Sequence, residues 1–139
     1  MAASKKYRRT SYLIKRLEIA TRAMLESALS GRGVTLAQYT LLSMVSDVDG
    51  MSSADVARRS NVSKQATNEI INVLERKGFI GRSEDDENRR ILRIKLTRKG
   101  RTLLNACDRA VDRNERTFLA AIPATLLATF RRTIENLIP

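Results

Sequence analysis

Apolar residues recur at three- and four-residue steps along most of the chain, the period of helices packed through one face. Over residues 8–30 the stripe runs through Leu13, Leu17, Ala20, Met24 and Ala28, and Gly31 and Gly33 mark its end. Thr35 is placed to cap a second helix over about 36–47, which buries Leu36, Tyr39, Leu42 and Val45 or their neighbours. Asp49 and Gly50 form a turn signal. Ser52 or Ser53 caps a short helix over about 54–59, with Val56 and Ala57 inward. Asn61 and Val62 turn the chain, Ser63 caps a longer helix to about Lys77, and Gly78 closes it.

The period then changes from helix to strand. Residues 79–83 and 91–96 read as two strands of a β-hairpin around a polar loop, 84–90. Leu92, Ile94 and Leu96 alternate onto one face, and Ile91, Arg93 and Lys95 onto the other. Thr97 caps a helix to about residue 118, with Leu103, Cys107, Ala110 or Val111, and Phe118 along one face. Pro123 suits the first turn of a last helix, whose stripe is Leu126 or Leu127, Phe130, Ile134 and Leu137.

Two short helices joined by a tight turn, followed at once by a basic hairpin, make a winged helix-turn-helix pattern. The major groove of DNA admits one helix, with hydrogen-bonding side chains toward the bases and an apolar back toward a core. Projection of 63–77 at the helical period puts Ala66, Ile70, Val73 and Leu74 on the inner side. The outer arc holds Lys64, Gln65, Asn68, Asn72 and Glu75, the last near the helix end, away from DNA. With Ser63 and Thr67, the first four of these are the candidate major-groove residues. Arg89 and Arg90 at the hairpin tip suit a narrow minor groove, and Arg58 and Arg59 are candidates for phosphate contact.

Composition sharpens this picture. The chain has 139 residues with 26 Lys and Arg against 15 Asp and Glu, a formal net charge of +11. That charge alone suits nucleic acid, an acidic protein or a membrane surface equally. Its distribution is more telling: the excess lies at 1–32 and at 61–100. Against it stands an acidic block, Glu84, Asp85, Asp86 and Glu87, expected to fold back and orient the neighbouring arginines or to face solvent beside the groove. The absence of His and the single Cys remove Ser-His-Asp and Cys-His chemistry and any His/Cys zinc cluster, so the expectation is no enzyme, no cofactor and no metal. A lone Cys107 on an apolar face reads as a buried structural thiol. No apolar run is of signal-peptide or membrane-span length, which points to a cytoplasmic protein with no membrane partner. The basic arm from Lys5 to Arg9 reads as a frayed or dimer-capping segment, and Tyr7, Tyr12 and Tyr39 as core or interface packing.

Residues 52–100 resemble the winged-helix core of the MarR family of bacterial and archaeal transcriptional regulators, and 33–45 resemble that family's second helix. The motifs that carry the likeness are Asp55-Val56-Ala57, Ser63 to Leu74 running into Glu75-Arg76-Lys77-Gly78, and Leu96-Thr97-Arg98-Lys99-Gly100. One departure is Asn88, which stands where the family's wing carries an Asp before its minor-groove arginine, so Asp85 or Asp86 is left to brace the wing. The resemblance implies a small effector, often aromatic or anionic, bound between the dimer helices and the DNA-binding lobe. No spacing motif identifies one.

The apolar stripes of the terminal helices are too extensive for a winged helix of residues 33–100 to cover. The expected architecture is therefore mainly α with a small β-hairpin wing. A winged helix-turn-helix lobe at 33–100 lies between an N-terminal dimerisation helix at 1–32 and C-terminal dimerisation helices at 101–139. The function that follows is sequence-specific double-stranded DNA binding by a homodimer, a transcription regulator expected to repress. Helix 63–77 would read the major groove of a pseudo-palindromic operator, and the wing at 79–96 the minor groove. The alternative is a nonspecific architectural nucleic-acid-binding protein, which charge alone would serve.

Overall fold

Four side chains decide where the four helices between the terminal ones begin. In the computed structural model, which describes residues 9–139, Thr35, Ser52, Ser63 and Thr97 each accept a bond from the backbone N–H three residues on. These bonds satisfy N–H groups that the first helical turn leaves without partners. Thr35 with Gln38 and Ser52 with Asp55 complete reciprocal capping boxes. The elements that result are α1 (Thr10–Leu29), α2 (Leu36–Asp47), β1 (Met51–Ser52), α3 (Ser53–Ser60), α4 (Lys64–Arg76), β2 (Ile80–Glu84), β3 (Leu92–Leu96), α5 (Arg98–Phe118) and α6 (Ala124–Leu137). Tyr7 and the part of the basic arm from Lys5 to Arg8 lie outside the described residues.

Gly78 ends α4 at a φ of 80°. There Phe79 N donates to Leu74 O at 3.0 Å, a closure that needs the left-handed backbone glycine tolerates. The hairpin is antiparallel, with Ile80 opposite Leu96 and Arg82 opposite Ile94. A strand the sequence pattern does not reveal, β1, adds to the other side of β3 and pairs Met51 with Ile94, so the sheet order is β1-β3-β2. Its two residues are too few to show a period. Along β3 the expected alternation holds in register but not in burial. Ile94 is buried and Leu96 half-buried, whereas Leu92 is exposed because the hairpin there has left the core behind.

Two apolar clusters organise the chain. One gathers Leu42, Val56, Ile71, Leu74, Ile80 and Ile94 with their neighbours inside the lobe. The other joins Ala28 and Leu29 of α1 to Cys107, Ala110 and Val111 of α5. Val34, Tyr39 and Leu103 pack against both. Tyr39 also donates its hydroxyl to Asp108 Oδ1 at 2.7 Å, tying α2 to α5. Burial, reinforced by that bond, pushes the Tyr39 phenol well above its usual range, so it remains a donor. Cys107 is fully buried, and burial raises its thiol as well.

The terminal helices differ from their expected stripes. Only Ala28 and Leu29 of α1 are buried, and Leu13, Leu17 and Ala20 lie exposed. No described residue of α6 is buried, and Leu137 is 70% exposed. These apolar faces are left without cover in a single chain.

Candidate nucleic-acid interface

The sequence α4 presents to solvent is set by which of its faces the core takes. Thr67, Ile71 and Leu74 are buried, while Ala66, Ile70 and Val73 are half-buried. The inward axis is thus turned slightly from the projected one. This corrects the place of Thr67 among the groove-facing candidates: it is 1% exposed, and a side chain packed into the lobe cannot touch a base edge. Among the described residues its Oγ1 has no hydrogen-bond partner, which marks it as a small core residue.

The other candidates on this helix lie outward. Ser63 spends its oxygen on the Ala66 N–H at 3.1 Å as the helix cap, and Lys64 and Gln65 are exposed in the first turn. Asn68 is half-buried in the cleft between helix and hairpin. Asn72 is exposed, but its Oδ1 accepts from Arg82 of β2. Arg82 also donates Nε to Glu75 Oε2 at 2.6 Å, so Glu75 is occupied by the hairpin.

The wing is built around Asp85. Its Oδ1 accepts from Arg93 Nε at 3.1 Å, and its Oδ2 accepts from the N–H groups of Glu87 and Asn88 at 3.2 and 3.0 Å. Arg93 reaches on to Gly50 O at 3.2 Å and lies 3.9 Å from Asp55, which anchors the hairpin to the start of α3. The acidic block is therefore divided: Asp85 turns inward as a brace, and Glu84, Asp86 and Glu87 face solvent. Asp85 supplies the bracing that the sequence leaves to it or Asp86, but through Arg93 rather than through the tip arginines. Asn88 Oδ1 accepts from Arg90 N at 3.1 Å and closes the tip, where Arg89 and Arg90 are exposed.

The Arg93 guanidinium, and next the Asn88 N–H, hold the Asp85 carboxyl below the usual carboxylate range. A depressed carboxylate contributes order that is present above its unfolded value and is lost as pH falls through its folded one. Wing order is thus expected to persist to weakly acidic pH and to fade below about pH 4. Asp85→Ala should remove it at neutral pH. Amide hydrogen exchange checks this: the Glu87 and Asn88 amides should lose protection in the variant, and unchanged protection would refute the brace.

On α3, Arg58 pairs with Asp55, whose carboxyl Ser52 holds below its ordinary range through its hydroxyl and its backbone N–H; Arg59 is exposed on the same last turn. A cleft of about 610 Å³ lies between α3, α4 and the wing. Arg58, Lys64, Asn68, Arg82, Arg90 and Arg93 line it with Asp55. Arg58, Arg82 and Arg93 are paired with Asp55, Glu75 and Asp85, and the net charge of the lining is still positive where a phosphate backbone could pass. Arg82 and Arg93 escape sequence reasoning. For Arg82 a signal was available, since strand alternation places it on the same face as the inward Ile80.

A family model described as MarR family matches residues 32–91, from the α1–α2 loop to the wing. The HTH-type transcriptional repressor Rv2887 of Mycobacterium tuberculosis is 33% identical over 126 residues, 91% of this chain and 91% of the relative. A crystal structure of the same M. tuberculosis protein in complex with DNA matches with a TM-score of 0.84 and 31% identity, over 96% of this chain and 100% of that one. Its complex with salicylic acid matches with a TM-score of 0.78 and 31% identity, over 96% and 99% of the two chains.

Proposed function

The chain belongs to the MarR family, and from that premise we propose that it is a sequence-specific double-stranded DNA-binding transcription regulator that represses as a homodimer. The observation that carries this reading is the cleft itself. The outward face of α4 and the tip of the wing flank one cationic surface, as a helix in the major groove and a hairpin at the minor groove require. Ser63, Lys64, Gln65, Asn68 and Asn72 face the major groove, Arg89 and Arg90 the minor groove, and Arg58 and Arg59 the phosphates. Residues 33–100 form the DNA-binding lobe, and 1–32 and 101–139 form the dimer.

The uncovered apolar faces of α1 and α6 support a second copy as their partner. A two-fold dimer would present its α4 helices to successive major grooves about 34–36 Å apart. A protein of this kind works by binding, without catalysis, and acts in the cytoplasm. No described helix is long and apolar enough to cross a membrane.

Relief by a small ligand is part of the same proposal. A cleft of about 450 Å³ opens between α1, α2 and α4, with Arg22 at its side, Leu36, Met44 and Ile70 as apolar walls, and Thr67 among its lining residues. Its size and apolar walls suit a small aromatic ligand of the salicylate kind, whose carboxylate would have to compete for Arg22 with Glu18, which pairs with it at 2.6 Å, beside Glu26 in the lining.

Selection from a randomised duplex library, followed by competition with unrelated DNA, tests the reading. Gln65→Ala and Asn68→Ala are each expected to weaken the selected duplex by about 1–3 kcal/mol and to relax preference at particular base pairs. Equal losses on selected and random duplexes would point instead to the nonspecific architectural binder.

A further inference from the structure

Three amide side chains share the outward face of α4, but one of them cannot offer DNA what the other two can. An amide reads adenine with both ends together, its oxygen accepting from the N6 amino group and its nitrogen donating to N7. Gln65, Asn68 and Asn72 are spaced three and four residues apart, so they lie in one row along the helix. Among the described residues, no side chain hydrogen-bonds the amide of Gln65 or Asn68. Asn72 differs, because Arg82 from the adjoining strand donates to it. A guanidinium carries donors only, so the end of the amide against Arg82 is the oxygen, and Nδ2 is the end left for the groove. Glu75 grips the same guanidinium through Nε at 2.6 Å, and the Arg82 side chain is only 23% exposed, so the cation is seated from two sides.

We infer that Arg82 is a positioning residue that sets base preference: by engaging Oδ1, it turns the Asn72 amide so that it reads chiefly as a donor. In that state Asn72 favours a base edge that only accepts, such as guanine O6 and N7 or thymine O4, over adenine, whose N6 donor is left to the one lone pair of Oδ1 that Arg82 does not use. Arg82 acts through Asn72 and need not touch a base. The inference rests on the reading of α4 as the base-contacting helix.

Selection from a randomised duplex library, performed with the full chain as wild type, Asn72→Ala, Arg82→Ala and Asn72→Asp, tests it. The base pair read by Asn72 is the one at which Asn72→Ala flattens a preference of about tenfold. The wild type is expected to select guanine or thymine there. Arg82→Ala releases Oδ1 and should move that one position toward adenine by about tenfold, with the preferences set by Gln65 and Asn68 unchanged. Asn72→Asp keeps the acceptor that Arg82 needs and removes the donor. It should abolish the guanine or thymine preference while leaving the melting temperature close to that of the wild type, so the outcome does not depend on how well Arg82→Ala folds. A merely structural Arg82 would weaken all positions alike and leave the order of bases intact. The inference is overturned by that uniform loss, by adenine selected in the wild type, by an unaltered preference in Asn72→Asp, or by an Asn72→Ala that flattens no position. If the wild type selects no sequence at any position, the DNA-reading proposal itself falls, and that result is distinct from each of the others.

Discussion

Placing charge on the uncovered face of the terminal helices, as in Leu17→Glu combined with Ile134→Glu, is expected to give a folded monomer whose affinity for its selected duplex is lower by about 10²–10⁴-fold. Both side chains are exposed in the single chain, and neither belongs to the two apolar clusters, so the lobe loses no packing. What the change removes is the reason for two chains to meet. Tyr12, Leu13, Ile14 and Leu17 on α1, with Leu126, Ile134 and Leu137 on α6, form apolar surface that a second copy would take from water. Full burial of a side chain of this size is worth about 1.5–3 kcal/mol. A buried glutamate with no partner would cost several kcal/mol instead. Two half-sites held at a fixed separation bind as one ligand, because the second contact forms at high effective concentration. Sedimentation or size exclusion at micromolar concentration reads the first effect, and duplex titration the second. A wild-type monomer in the same experiment would sink the dimer, and a double variant that binds as tightly as the wild type would sink its role in affinity.

The second large effect is expected at Gly100. A Cβ there would stand 1.9 Å from Phe79 O and 2.8 Å from Phe79 C, so the collision is with backbone, which has little room to move. The closeness is built from the same few groups. Thr97 N donates to Phe79 O at 3.1 Å, and Thr97 Oγ1 donates to Gly78 O at 2.6 Å while accepting from Gly100 N at 3.0 Å. The first turn of α5 is in this way docked on the junction between α4 and β2. Gly100→Ala must separate them, and a destabilisation of at least about 3 kcal/mol is expected, at the upper end of overpacking effects. Gly81 provides the contrast: nothing lies within 4 Å of its added Cβ, and Gly81→Ala should change stability by less than about 1 kcal/mol. Urea denaturation separates the two, and a Gly100→Ala protein within 1 kcal/mol of the wild type, by the same approximate measure, would show that the junction opens easily.

Both predictions depend on contacts that sequence reading reached unevenly. The capping residues Thr35, Ser52, Ser63 and Thr97 are legible because each bonds a group three residues away, and no distant packing is needed to form the contact. Thr67 lies in the core rather than at the groove because a helical projection gives only the arc of apolar residues, whereas the neighbouring helices decide where in that arc the core axis falls. A small hydroxyl residue at its edge can go either way. Asp85 was within reach as a brace, yet its partner was not: Arg93 lies eight residues on and also bonds Gly50, 43 residues back. Arg82 meets Asn72 and Glu75 only because β2 folds back along α4.

By itself the sequence determined the order of helices and hairpin, the caps of α2, α4 and α5, the choice of Ser52 or Ser53 for α3, the charge of the lobe and the excess of apolar face at the termini. Those features are local or additive: they follow from period, from neighbours within a turn, and from composition. Only the tertiary structure decided that Thr67 is core, that β1 completes the sheet, that Asp85 holds the wing through Arg93, and that the oxygen of Asn72 is taken by Arg82. Each of these depends on which surfaces come together once the chain has closed, and pairing across elements is written in no single stretch of it. The net charge of +11 named a polyanionic partner without choosing its kind. The fold narrowed that choice by gathering five of those cations around one cleft beside a row of amides.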